Sequence, residues 1–195
     1  MTPEQRARLE ALPVANIGDA MDRLYMMHSA IKPVWKGAKV VGTAYTVFTA
    51  QGDNKEVHVA LDAASEGDVI VVAAGGNTER AIMGELMAGR AKANGLAGII
   101  IDGAIRDAED IGEIGLPVFA AATTPAGPYR NGPGLSQVPV AAAGVPVLPG
   151  DIIVGDSDGV IAIPAARLEE VLQGAEAKFA KETAQRAAIG LGDAK

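Results

Sequence analysis

The sequence predicts a mixed α/β fold in which parallel strands alternate with helices, followed by a β-rich segment and one long C-terminal helix. Three observations carry this prediction. The runs "GDVIVVAAGG" (Gly67–Gly76) and "LAGIIID" (Leu96–Asp102) are short, aliphatic and apolar on both sides, the character of strands buried on two faces of a parallel sheet. Helical patterns separate these runs, as crossover connections require. From Thr123 onward, Pro125, Pro128, Pro133, Pro139, Pro146, Pro149 and Pro164 break the chain into short apolar pieces, the texture of brief strands joined by tight turns.

Each element follows from local chemistry. "TPEQ" (Thr2–Gln5) has the spacing of a capping box and opens a helix to about Leu12. A second helix is expected after Gly18. Lys39–Ala50, rich in β-branched residues, reads as strand, Asn54–Ala64 as helix, and Gly67–Gly76 as a strand closing on a glycine turn. Then come a helix ending at Asn94-Gly95, the strand Ala97–Asp102, a short helix from Asp107, and the strand "LPVFAA" (Leu116–Ala121). Ala165 to about Ile189 forms one long helix with more charge than a core helix needs, which points it toward a neighbouring subunit. With no internal repeat and no linker, residues 1–195 are expected to form one domain.

Composition narrows the chemistry. The chain of 195 residues is 49% apolar but only 4% aromatic, so small aliphatics must build the core. No cysteine is present, which removes disulfides, thiolate nucleophiles and thiolate metal sites together. With two histidines in no ligand spacing, a bound metal is expected to take oxygen donors, favouring magnesium or manganese. A net charge of −7 without a basic run argues against a nucleic-acid surface. No apolar run approaches the ~18 residues of a membrane span and the N-terminus is polar, so a cytoplasmic chain is expected.

The candidate site lies in "GGNTERAIMGELMAGRAKANGLAGIIIDGAIRD" (Gly75–Asp107). A glycine inside a helix costs about 1 kcal/mol against alanine, so the helix is expected to start at Gly84 rather than run through it. The amides of Glu85, Leu86 and Met87 then form an anion-binding helix N-terminus. The helix advances ~16 Å to Asn94, and the following strand returns ~20 Å. Arg106 and Asp107 therefore come back beside Glu85, at the strand ends where open α/β sheets place their ligands. A guanidinium, carboxylates and amides at one locus fit a 2-oxo acid. Simpler roles remain open: Asp107 as the cap of its own helix, Arg106 in a surface ion pair, Glu85 as a first-turn acid, Asp156 and Asp158 as turn residues, and His28 and His58 as ordinary polar residues.

At these residues the chain resembles the RraA-like family, which includes class II 4-hydroxy-4-methyl-2-oxoglutarate / 4-carboxy-4-hydroxy-2-oxoadipate aldolases. The resemblance extends through "LPVFA", "TPAGPYRNGPG" and "PGDIIVGDSDGVIAIP". It implies an α/β/β swivelling-domain sandwich with a long C-terminal helix, assembled as a homotrimer or dimer of trimers with clefts between subunits. It implies a metal-dependent aldolase that forms pyruvate from 4-hydroxy-2-oxo acids and decarboxylates oxaloacetate. By position, Arg106 polarises the keto-carboxylate end, Gly84, Leu86 and Met87 hold substrate oxygens, and Asp107 binds Mg2+ or Mn2+. Glu182 of an adjacent subunit, or Glu176 in second place, acts on the metal through water. Glu85 stands where these aldolases usually carry aspartate, and the general base is either Glu85 or a water on the metal. Some relatives are instead protein regulators of ribonuclease E.

Overall fold

The computed structural model describes residues 1–191. Helix α1 (Pro3–Glu10) opens with the expected box: Thr2 accepts from the Gln5 amide while the Gln5 side chain accepts from the Thr2 amide. Helix α2 spans Val14–Asp19, before the position expected for it. Pro13 fixes the backbone at its start, and Asp22, Arg23 and Tyr25 beyond it are left-handed (φ 55°, 62° and 61°), which no right-handed helix accommodates.

Strands β1 (Lys32–Pro33), β2 (Val40–Thr49), β3 (Asp68–Met83), β4 (Gly98–Ile105) and β5 (Val118–Thr123) alternate with helices α3 (Lys55–Ala63), α4 (Glu85–Ala93) and α5 (Ala108–Ile114). The proline-rich segment supplies β6 (Gly134–Ser136), β7 (Val140–Ala142), β8 (Val145–Val147), β9 (Ile152–Asp156) and β10 (Gly159–Ile163). A short 3-10 turn then leads into α6 (Leu168–Ala188). The main sheet has eight strands in the order β1-β5-β4-β3-β2-β9-β10, with β6 also paired to β2. Its centre, β2-β3-β4-β5, is parallel as expected. Strands β9 and β10 extend it antiparallel, whereas β7 and β8 form a separate hairpin.

Side-chain alternation divides the core. Ile70, Val72, Ile99 and Ile101 face the layer of α3, α4 and α5, where they meet Val57, Leu61, Met87, Ala88 and Ile111. Val69, Val71 and Ile100 face the other way, onto the β7–β8 hairpin through Val140, Ala142, Val145 and Val147. The result is helix layer, sheet and β layer, the mixed α/β sandwich the sequence predicts. A third cluster packs α1, α2 and the first half of α6 against β9 and β10.

Strand β3 does not stop at its glycines. Gly75 and Gly76, both at φ 68°, turn the chain into an excursion that rejoins β4 in broken register, with Asn77 opposite Gly103, Ala81 opposite Ala104 and Met83 opposite Ile105. The strand thus delivers Met83 to the sheet edge immediately before α4. Part of the charge on α6 is used within the chain: Arg8 bonds Glu169 and Glu176, and Lys178 bridges Asp19 and Glu182. No helix among the described residues is long and apolar enough to cross a membrane.

The parallel centre depends on close backbone approach. A Cβ on Gly42 in β2 would stand 2.6 Å from the Gly67 carbonyl oxygen and 2.6 Å from Val69 Cγ2. Gly42→Ala is therefore expected to destabilise the fold by roughly 1–3 kcal/mol through overpacking, seen as a lower urea midpoint with an unchanged m-value. An unchanged midpoint would show that the sheet yields at this point.

Candidate active site

Helix α4 begins where the glycine penalty places it: Gly84 is its N-cap, extended at φ −144°. Strand β4 returns beside it, and the Arg106 amide donates to the Met83 carbonyl at 2.9 Å. Asp107 follows in the left-handed region, at φ 56°. It occupies the N-cap position of α5, yet its side chain makes no capping bond there. Its Oδ2 instead accepts from the Glu85 amide at 3.2 Å and faces Arg106 Nε at 3.4 Å. The carboxylate thus caps the neighbouring helix, and the simpler role for Asp107 does not hold.

Gly84 makes this contact possible. A Cβ there would overlap Asp107 Oδ2 and stand 3.0 Å from Arg106 Cγ. The expected amide nest is smaller than the sequence indicated, because Asp107 occupies the Glu85 amide; Leu86 and Met87 keep theirs unbonded among the described residues. The Glu85 carboxylate is exposed and likewise has no partner there. Arg106, Asp107, Gly84, Glu85, Leu86 and Met87 are brought together along one cleft of about 360 Å³, the size class of small-molecule sites.

Glu182 lies elsewhere in the same chain. Its Oε2 accepts from Asn16 Nδ2 at 2.7 Å and its Oε1 faces Lys178 at 3.3 Å, while both oxygens of Glu176 are held by Arg8. Arg8 holds the Glu176 carboxyl below its usual range. His28 packs against Gly144 in the β7–β8 turn, away from the cleft, and Asp156 serves its turn by accepting from the Asp158 amide.

The opposite wall of the cleft escaped the sequence reading. It carries Asn54, His58 and Arg130. Asn54 and His58 are four residues apart at the start of α3 and so share a face. Asn54 Nδ2 donates to the Ile82 carbonyl at 3.1 Å, which fixes the amide orientation and leaves buried Oδ1 without a partner among the described residues. The His58 ring lies between two guanidiniums: Arg130 Nη2 meets Nε2, and Arg90 Nη1 is 3.4 Å from Nδ1. Burial first, then Arg130 and Arg90, push His58 below the ordinary imidazole value, so the ring is neutral at pH 7.

Arg130 belongs to a loop pinned by buried Asp53. Asp53 Oδ2 accepts from the Asn131 and Gly132 amides at 2.6 and 2.9 Å, and Oδ1 from the Lys55 amide at 2.9 Å. Burial works to raise this carboxyl, but the three amides and the Lys55 charge outweigh it and hold the group below its usual range. Arg80 fastens the same loop, donating to the Gly127 carbonyl at 2.9 Å and lying 4.1 Å over the Tyr129 ring. The only sequence signal for this wall was the Asn54/His58 spacing; nothing local to Arg130 announces the pairing.

Comparison with known proteins agrees with this architecture. The RraA-like family (Aldolase/RraA) matches residues 14–162. A protein of Halalkalibacterium halodurans named "Putative 4-hydroxy-4-methyl-2-oxoglutarate aldolase" is 44% identical over 93% of this chain and 87% of that protein. Among solved structures, RraAS2 of Streptomyces coelicolor, described as an unusual member of the RNase ES inhibitor RraA protein family, superposes with a TM-score of 0.83 at 30% identity, covering 95% of this chain and 97% of that one. The RNA-processing inhibitor RraA from Thermus thermophilis gives 0.71 at 30% identity over 78% of this chain and 92% of its own. On the family match, the relatives and the shared fold, this chain belongs to the RraA-like family.

Proposed function

We propose that the chain is a divalent-metal-dependent aldolase that releases pyruvate from 4-hydroxy-2-oxo acids of the 4-hydroxy-4-methyl-2-oxoglutarate / 4-carboxy-4-hydroxy-2-oxoadipate type, and that it also decarboxylates oxaloacetate. The observation that carries this reading is the Arg106–Asp107–Gly84 junction, where a guanidinium, a carboxylate and the unbonded Leu86 and Met87 amides converge on one cleft. In the proposed reaction the two amides hold the substrate carboxylate and Arg106 donates to the 2-oxo oxygen. The C3–C4 bond breaks, its electron pair becomes the C2–C3 double bond of an enolate, and the C4 hydroxyl loses its proton as C4 becomes a carbonyl. Arg106 stabilises the charge that develops on the oxygen. The unpartnered Glu85 carboxylate is the ionisable group of the cluster free to move that proton.

Magnesium or manganese is the proposed cofactor. Asp107 Oδ2 accepts from the Glu85 amide and lies at ion-pair distance from Arg106, but Oδ1 has no partner among the described residues. Such an ion is commonly held by one or two carboxylates with water and substrate oxygens, and one free carboxylate oxygen fits that need. No group of three or more His, Asp or Glu among the described residues makes a self-sufficient cage, so substrate or a second subunit would complete the shell. The ion would supply Lewis-acid polarisation of the 2-oxo group.

A homotrimer, singly or as a dimer of trimers, is proposed on the form of α6. Ala175 is its last buried residue and Phe179 still packs against the third core cluster, so the helix runs on to Ala188 with its final turns beyond that cluster. Ile189 and Leu191 at its end are 71% and 59% exposed. Glu182, held within its own chain by Asn16 and Lys178, is the acid proposed to exchange these partners for an adjacent site. A second reading, a protein-binding regulator of ribonuclease E, is favoured by the names of two structural relatives.

Three measurements test this reading. Pyruvate release from oxaloacetate, followed with lactate dehydrogenase, is expected to stop after exhaustive chelation and return with magnesium; undiminished turnover without metal would reject the metal-dependent reading, and no turnover with it would favour the regulator. Arg106→Lys is expected to lose about 10²–10³-fold in kcat with its unfolding midpoint unchanged, because an ammonium does not reproduce the planar guanidinium. Turnover within about threefold of the parent, far below an oxyanion-donor loss, would remove Arg106 from the mechanism. Light scattering at assay concentration is expected to show a trimer or hexamer; a fully active monomer would exclude a contribution from Glu182 of a neighbour.

A further inference from the structure

A second cavity lies at the end of the sheet opposite the candidate cleft. Strand β2 runs parallel to β3 and β4, whose exits carry Met83 and Arg106, so its first residues stand at the other end. There a cavity of about 320 Å³ opens between the end of α1, the start of β2 and the end of β9. Protein interiors close most gaps larger than a water molecule, and this one is in the size class of a small-molecule site. Its inner wall is aliphatic, made by Leu9, Leu12 and the cross-strand pair Val41 and Val154, all four buried in the third core cluster. Glu10 and Lys39 line the same cavity and are exposed.

The gap is held open by the fold. Arg6 donates to the Val41 carbonyl at 2.6 Å and to the Gly67 carbonyl at 3.2 Å, and Arg8 bonds Glu169 and Glu176 of α6, so α1 is fastened from two sides and does not settle onto the valines. On the β9 side, Asp156 Oδ2 accepts from the Val14 amide at 3.1 Å and Oδ1 from the Asp158 amide at 2.9 Å, which uses both oxygens. Glu10 and Lys39 differ, because neither side chain has a hydrogen-bond or ion-pair partner among the described residues. An unpaired surface charge is ordinary by itself. Here two charges of opposite sign flank one aliphatic cavity.

We infer that this cavity binds a small zwitterion with a branched aliphatic side chain, an amino acid of the leucine or valine type. Its carboxylate meets Lys39, its ammonium meets Glu10, and its side chain fills the space between the leucines and the valines. Three parts of the ligand answer three parts of the wall. An anion alone would leave Glu10 facing it, a cation alone would leave Lys39, and a zwitterion without a side chain would bury no apolar surface. From Val41 to Thr49 the strand covers ~26 Å, so the site is separate from the aldol chemistry and does not depend on it.

Calorimetry with probes of one shape separates these parts. L-Leucine is expected to bind about 3- to 10-fold more tightly than 4-methylpentanoate, which lacks the ammonium, and than 3-methylbutylamine, which lacks the carboxylate. That range lies between a screened surface pair and a charge-assisted bond. Glycine, with both charges and no side chain, is expected to bind at least about tenfold more weakly. Glu10→Gln should remove the advantage of leucine over 4-methylpentanoate, and Lys39→Met its advantage over 3-methylbutylamine, each with an unchanged unfolding midpoint because both residues are exposed. Arg106→Met, in the cleft, should leave leucine binding as it was. Leucine affinity within about twofold of both analogues, no more than a weak surface pair supplies, overturns the inference. So does leucine binding that survives both variants, or its loss in Arg106→Met, which would put the ligand in the cleft. Equal weakening of all four ligands with a shifted midpoint would place Glu10 and Lys39 in structure alone. No leucine binding at all also overturns it, and a changed oligomeric state in Glu10→Gln or Lys39→Met would then give the cavity to a second copy of the chain.

Discussion

One carboxylate oxygen holds the site together. Asp107 Oδ2 joins the first amide of α4 to the guanidinium at the exit of β4, so the start of one element and the end of the other are locked in relative position. The bond requires a left-handed backbone at a non-glycine residue, which costs on the order of 1 kcal/mol or more. Aspartate is among the few side chains that enter this region readily. The bond also requires that position 84 carry no side chain, because a single methyl group there would occupy the space of the carboxylate. Strain at 107 and the bare backbone at 84 are two halves of one arrangement.

The surrounding layers explain why this arrangement stands at the sheet edge. The central strands are covered on both faces, by helices on one side and the β7–β8 hairpin on the other. Unpaired polar groups have no place in that interior. Strand ends and helix starts are where amides and charges are free, and β3, β4 and α4 all present such ends to one cleft. The same scaffold is shared with relatives named as aldolases and relatives named as RNA-processing inhibitors. The fold therefore does not decide the chemistry; a few side chains at its edge do.

Much of this was legible in the sequence because it rests on local rules. The α1 capping box, the parallel aliphatic strands, the start of α4 at Gly84 and the return of Arg106 and Asp107 beside Glu85 follow from spacing and periodicity alone. Where the reading departed from the structure, a longer-range interaction decided. Gly75 and Gly76 look like a strand end, but β3 regains β4 after its excursion because that edge offers further hydrogen bonds. The Glu85 amide looked free because nothing local shows that Asp107 turns away from its own helix. Arg130 and His58 stand 72 residues apart, and their meeting depends on Asp53 gathering a distant loop. No window of sequence contains that information.

Asp53, Asn54 and His58 together set a dimension. Asp53 fixes the loop that bears Arg130, Asn54 grips the Ile82 carbonyl next to the Gly84 wall, and His58 stands one helical turn further on. The spacing of the two walls is thus written into consecutive bonds of a single segment, like graduations on a ruler. Exchanging one side chain alters what the walls recognise but not how far apart they stand. A descendant of this protein adapting to a longer molecule would have to insert or delete residues between β2 and α3, or let the excess emerge through the open face where Leu86 and Tyr129 lie exposed.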